Sequence, residues 1–219
     1  MKLRLLAPLM LIVAPGIASA DFIWASLAPE KKVVTIGLQE DPSADALPLK
    51  ERIPLVKAFE KTVSKPLVLK EDGNLLKGTY SGKAVGVDMN YGVIDRTEQG
   101  RGIFWLYYYA KAALTPEASQ TKFGLGVELF VKVIDGKSVV SVFRNGKPAP
   151  KAAVVAVIPG ASEEFKGETD DNGTISIPQS TGKLAVRALV VENEKGSEAG
   201  KQYNFRRSYC SLTIDNLGK

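Results

Sequence analysis

Short runs of β-branched and apolar residues, cut every few positions by Gly, Pro, Asn or Asp, restrict this chain to a β fold. The pattern is cleanest in the second half. Gly126 to Ile134 sets Val127, Leu129, Val131 and Val133 on one face, and Asp135-Gly136 turns the chain into Ser138 to Phe143. After the turn Arg144-Asn145-Gly146-Lys147-Pro148 come runs at Ala153–Ile158, Glu164–Thr169, Thr174–Ile177, Leu184–Val191 and Tyr203–Ile214. About seven short strands over ~90 residues predict a β-sandwich, because each half-buried strand needs a second sheet to cover it.

The first half is also β-rich, with less regular spacing. Lys32 to Leu38 reads as a strand ended by Gln39-Glu40-Asp41-Pro42, and Leu47 to Ile53 as one helical turn. Leu55–Thr62, Pro66–Lys70, Gly73–Tyr80, Ala84–Met89, Tyr91–Ile94 and Gly102–Ala110 follow as short extended segments. Within the last, Ile103-Phe104-Trp105-Leu106-Tyr107-Tyr108-Tyr109 is apolar on both faces. Such a run predicts a central strand covered on both sides, with an aromatic ligand platform as the alternative. Lys111 to Lys122, polar and broken by Pro116, reads as a linker. The predicted organisation is therefore all-β. A signal peptide over 1–20 precedes an N-terminal β region with linker over 21–122 and an immunoglobulin-like sandwich over 123–219.

The signal expectation rests on Lys2 and Arg4, the apolar stretch Leu5 to Val13, a Pro15-Gly16 break and the small residues Ala18-Ser19-Ala20. Its apolar core is about half of the ~20 residues that span a bilayer. The mature chain is expected to begin at Asp21, with no transmembrane segment after cleavage. Loss of Lys2 and Arg4 lowers the basic count from 29 to 27 against 24 acidic residues, so the net charge falls from +5 to +3. A nucleic-acid binder needs a concentrated basic stripe. Here the basic residues come as pairs, Lys31-Lys32 and Arg206-Arg207, which argues against nucleic acid.

The chain has no histidine and a single cysteine. Without imidazole the Ser-His and Cys-His nucleophile pairs and the His-based zinc sites are impossible. No carboxylate pair stands out from the 24 acidic residues, so the sequence reads against an enzyme. One cysteine rules out an internal disulfide, and in strand alternation Cys210 shares a face with Leu212 and Ile214 as a buried small hydrophobe.

Three stretches carry a resemblance. Gly146-Lys147-Pro148 precedes a strand, Thr169-Asp170-Asp171-Asn172-Gly173 forms a turn before Pro178, and Val186-Arg187-Ala188 lies in the next strand. Together they resemble the prealbumin-like, carboxypeptidase-regulatory-like β-sandwich. The acidic turn reads as turn geometry, with a calcium site as the alternative. Over the mature length a further set occurs in order: Ala20-Asp-Phe-Ile-Trp24, Gln39-Glu-Asp-Pro42, Tyr91-Gly-Val-Ile94, the run Phe104 to Ala112, and Arg206 to Thr213. In that order they are similar to an exported family of unknown function, grouped with periplasmic components of nickel and cobalt uptake and common in planctomycete-type bacteria. In that family a His opens the mature chain and another lies near the end; here those positions are Asp21 and Ser208.

The resemblance implies an extracytoplasmic ligand-binding protein of the periplasm or cell envelope, associated with transition-metal uptake. Its partner would be an envelope protein or transport component. The candidate ligand-binding residues are Asp21, Trp24, Arg206 and Tyr209, with Arg207 beside Arg206 as a second anion-binding group. A divalent metal would fall to oxygen ligands at Asp21, Glu40 and Asp41, with Asp95 as a further carboxylate. The alternative is a non-catalytic structural or protein-interaction module of the cell envelope.

Overall fold

The computed structural model describes residues 22–60, 66–158, 163–178 and 182–218. The signal-peptide expectation and Asp21 lie outside the described residues. Along the chain run β1 (Phe22–Ala28), β2 (Val33–Gln39), a 3-10 turn (Lys50–Leu55), β3 (Val56–Phe59), β4 (Leu69–Asp72) and β5 (Leu75–Thr79). The long hairpin β6 (Ala84–Arg96) and β7 (Gly102–Ala113) follows, then the single helical turn α1 (Pro116–Ser119). The second half holds β8 (Val127–Ile134), β9 (Lys137–Arg144), β10 (Lys147–Pro148), β11 (Ala153–Val157), β12 (Phe165–Glu168) and β13 (Thr174–Ile177). It ends with β14 (Leu184–Glu192), the small hairpin β15 (Gly196–Glu198) and β16 (Lys201–Tyr203), and β17 (Phe205–Ile214).

These strands form an all-β sandwich of three layers. The middle layer is a seven-stranded sheet in the order β12-β11-β14-β17-β7-β6-β3. Strands β1, β2, β5 and β4 make a four-stranded sheet on one face, and β8, β9, β10 and β13 make another on the opposite face. The last strand β17 lies against β7, parallel to it, with Tyr209 opposite Tyr108 and Cys210 opposite Tyr109. The two sequence halves are therefore joined by main-chain pairing in the centre of one sheet.

Strand alternation divides the apolar side chains between two cores. Phe104, Leu106, Tyr108, Ala110 and Ala112 of β7 pack toward β1 and β2, against Ile23, Ala25, Val34 and Ile36. Cys210, Leu212 and Ile214 of β17 pack the other way, with Val186, Leu129 and Val140. Cys210 is fully buried, and burial pushes its thiol up to about 12, as an inert core side chain requires. Two hydroxyls fasten the outer sheet to the middle one. Ser211 Oγ and Thr213 Oγ1 each donate at 2.6 Å to the carbonyls of Ile23 and Ala25 on the edge strand β1.

The segment from Lys111 to Lys122 is packed structure, contrary to its reading as a linker. Lys111 completes the face of β7, and its side chain is fully buried. Its ammonium donates to the carbonyls of Ser119 (3.2 Å) and Thr121 (2.9 Å), lies 3.3 Å from Glu128 and sits 3.8 Å over the Phe130 ring. A polar composition signals solvent only where the polar atoms lack internal partners, and here they have them. The Asp170 turn behaves as turn geometry: its carboxylate accepts from the Asn172 and Thr174 amides and the Thr174 hydroxyl. Gly173 sits at φ +70°, and a Cβ there would lie 2.7 Å from the Ala149 nitrogen.

Candidate functional site

A concave pocket of about 560 Å³ opens on the β1-side face of the middle sheet, where β6, β7 and β17 meet the loop after β2. Roughly 300–1,000 Å³ is the usual size of a small-molecule site. Its floor is Phe104, Leu106 and Tyr108 of β7 with Tyr209 of β17. Around the floor stand five cations, Lys50, Arg52, Arg96, Arg101 and Arg207, and no carboxylate lines the pocket.

A bulge in β6 places three of the lining residues. The β6–β7 register slips between Asn90 and Gly92, which adopts φ +95°. One extra residue reverses which side of the sheet each later side chain faces. Before the slip the odd-numbered Val85, Val87 and Met89 point to the β1 side; after it Ile94 and Arg96 do, and Tyr91 at the bulge joins them. Asn90 holds this turn. Its Oδ1 accepts from the Gly92 amide (3.0 Å) and from the indole of Trp105 (2.9 Å) on the opposite face.

The β6–β7 turn supplies the rim. The Arg101 amide donates to the Arg96 carbonyl at 3.0 Å, so both cations flank one tight connection. Asp95 is spent inside that turn, where hydrogen bonds from Thr97 hold its carboxyl below the usual value. The opposite wall is the loop through Leu47 and Leu49. The Leu47 amide bonds the Leu38 carbonyl at 2.8 Å, and buried Leu49 anchors the turn that presents Lys50 and Arg52.

Two of the guanidinium groups are pre-oriented on aromatic rings. Arg52 lies 4.4 Å over Tyr91, whose ring meets Tyr108 edge-on at 5.8 Å. Arg207 lies 5.1 Å from Phe104 and 5.8 Å from Phe205, and those two rings stack on each other. A guanidinium held against a ring by cation–π attraction keeps its charge and N–H donors for an oxyanion. Among the described residues none of the five cations makes an ion pair, and the buried Nε of Arg207 has no hydrogen-bond partner. Unpaired donors beside an apolar floor are the local chemistry of an anion site.

The structure separates the residues that sequence grouped together. Tyr209 lines the pocket, stacked on Tyr108 at 5.6 Å. Arg207 lines it too. Arg206 points to the other face, over Trp105 at 4.3 Å, where its Nη2 donates to the Tyr203 hydroxyl and its Nε lies 3.7 Å from Glu194. Trp24 is fully buried and is not among the pocket-lining residues; its ring is edge-on to Phe22, which is edge-on to Tyr209. Asp21 is outside the described residues.

Glu40 is exposed, and its carbonyl accepts from Arg187. Asp41 caps its own loop, taking bonds from the Ser43 hydroxyl and the Ser43 and Ala44 amides, with the Ser43 hydroxyl foremost in holding its carboxyl low. Among the described residues no three His, Cys, Asp or Glu side chains converge as metal ligands. Lys50, Arg52, Tyr91, Arg96 and Arg101 were not singled out by sequence reasoning as binding residues. The available signal was the pair of arginines flanking the turn Thr97–Gln99.

No protein-family model matches this chain, and no curated protein matches its sequence. No helix among the described residues is long and apolar enough to cross a membrane.

Proposed function

We propose that this protein is an extracytoplasmic, non-enzymatic binding protein whose ligand is a small anion held in the pocket between β6, β7, β17 and the Lys50 loop. One observation carries this reading: five cationic side chains line the cavity, no carboxylate does, and none of the five is neutralised by an ion pair among the described residues. Cations left unpaired in a concavity repel one another, an arrangement that an incoming anion relieves. The export expectation and the family resemblance supply the compartment and the association with uptake.

The same charge bears on metal handling. A bare divalent cation entering this pocket meets five positive groups and no donor carboxylate, so nickel or cobalt would be taken here only as an anionic chelate. The test is calorimetric titration of the untagged protein with citrate, phosphate, sulfate and benzoate, then with nickel alone and with nickel citrate. Binding of at least one anion that weakens as salt is raised, with no response to nickel alone at this site, is the expected result. Failure of every anion in the set to bind at low ionic strength overturns the reading.

A further inference from the structure

We infer that the natural ligand carries two separated oxyanion groups on a flat or apolar body, one group taken by Arg207 and the other by Arg52; this rests on the anion-binding reading above. The two guanidinium groups are fixed on different rings, Arg207 on Phe104 and Arg52 on Tyr91. Phe104 is opposite Ile94 on β6, three residues beyond Tyr91. Because Tyr91 is the extra residue of the bulge, the span is set on β7, where Phe104 and Tyr108, the ring that Tyr91 meets edge-on, are four residues apart, on the order of 13 Å at a strand's rise. A single carboxylate or phosphate hydrogen-bonds at about 2.7–2.9 Å, so it engages one guanidinium fork and not both.

Between the two forks the surface changes character. Leu106, Tyr108 and Tyr209 form a floor without charge, and the Tyr108 and Tyr209 rings stack at 5.6 Å. A flexible, fully hydrated dianion gains nothing from that floor, whereas a ring or planar hydrocarbon laid across it removes apolar area from water. Arg207 and Arg52 are both half-buried, while Lys50, Arg96 and Arg101 are exposed at the rim. The inner pair therefore defines geometry and the outer three supply field.

The experiment compares benzoate, benzene-1,4-dicarboxylate and succinate by titration calorimetry at low salt, on the whole protein and on Arg52→Gln and Arg207→Gln, each first checked for an unchanged melting temperature. Benzene-1,4-dicarboxylate should bind about tenfold or more tightly than either benzoate or succinate. Arg52→Gln should bring the dicarboxylate down to the affinity of benzoate while leaving benzoate itself within about twofold. Equal affinity for benzoate and the dicarboxylate in the parent protein overturns the two-group inference and leaves the anion site standing. Succinate binding as tightly as the ring diacid overturns the flat body. If none of the three binds while phosphate or sulfate does, the inference fails and the anion reading survives. Should Arg52→Gln melt early, Arg52→Lys, which keeps charge and loses the fork, replaces it with the same expectation.

Discussion

Arg206 and Arg207 are neighbours in sequence and lie on opposite faces of the middle sheet, opposite Trp105 and Leu106 of β7 respectively. Arg206 is engaged by Tyr203, Glu194 and the Trp105 ring, and Arg207 faces the unneutralised pocket. Strand geometry alone produces this division, since successive side chains alternate sides.

The two arginines should therefore part company when removed. Arg207→Ala loses a charge-assisted contact worth about 1.5–3 kcal/mol, weakening anion binding roughly tenfold to a hundredfold. Arg206→Ala leaves anion affinity within about twofold and lowers stability through the lost packing on Trp105 and Tyr203. Titration of both variants with benzoate, alongside thermal melts, checks the pair. The reverse ranking in affinity would place the ligand on the other face.

Lys111 and Glu128 form a buried pair that the fold depends on. Burial drives the Lys111 ammonium below its ordinary value, and the Glu128 carboxylate opposes that shift. Lys111→Met strands Glu128 in the core and frees the carbonyls of Ser119 and Thr121, at a cost of about 3–5 kcal/mol. Adding Glu128→Gln removes the stranded charge and keeps an acceptor for the Phe123 amide. Urea unfolding should show the double variant more stable than Lys111→Met alone. Additive losses in the two would mean that the charges do not interact.

How the sequence encodes this architecture differs from one element to another. The strands from Gly126 onward were legible because turn residues bound each one and alternation is strict. So was Cys210, whose face is fixed by Leu212 and Ile214. The aromatic run from Ile103 to Tyr109 was readable as central, because no charged residue interrupts it and both faces need cover. Three things were not. Phe22–Ala28 is too uniformly apolar to show a period, so β1 has no alternation to read. Lys111 is polar by type and buried by partnership, which composition cannot convey. The pocket depends on one inserted residue at the Asn90–Gly92 bulge, which re-aims Ile94 and Arg96, and on a parallel pairing of β17 with β7 across about a hundred residues. Non-local pairing leaves no local pattern.

Ser211 and Thr213 cover buried carbonyls on the edge strand β1, a role that side-chain type alone does not reveal. Removing either hydroxyl leaves a buried acceptor without its donor, which costs about 1–3 kcal/mol. Ser211→Ala and Thr213→Val should each lower stability by that amount, and the two together should raise amide exchange across β1 and β2 well above the rest of the chain. Uniform exchange over all three sheets would show that the outer sheet is not fastened through these two bonds.

Asp88 gives the clearest pH signature. It lies opposite Tyr109 on the face away from the pocket, and its Oδ1 is buried without a hydrogen-bond partner among the described residues. Burial pushes its carboxyl above the ordinary 3.8, and the Lys57 ammonium across the strand pair pulls it partly back. As the pH falls, the folded protein takes up this proton before the unfolded chain does. Between 3.8 and the raised folded value the folded state binds more protons, so this group's contribution to stability improves on acidification. Above that window the ionised, poorly solvated carboxylate is a standing cost. Asp88→Asn removes the charge and keeps the shape. It should melt higher than the parent at neutrality, with the gap closing as the pH is lowered toward 3.8. Thermal melts of both proteins across that range measure the gap directly. A gap that stays constant would mean Asp88 titrates alike in folded and unfolded chains, and one that widens on acidification would reverse the sign of the burial argument.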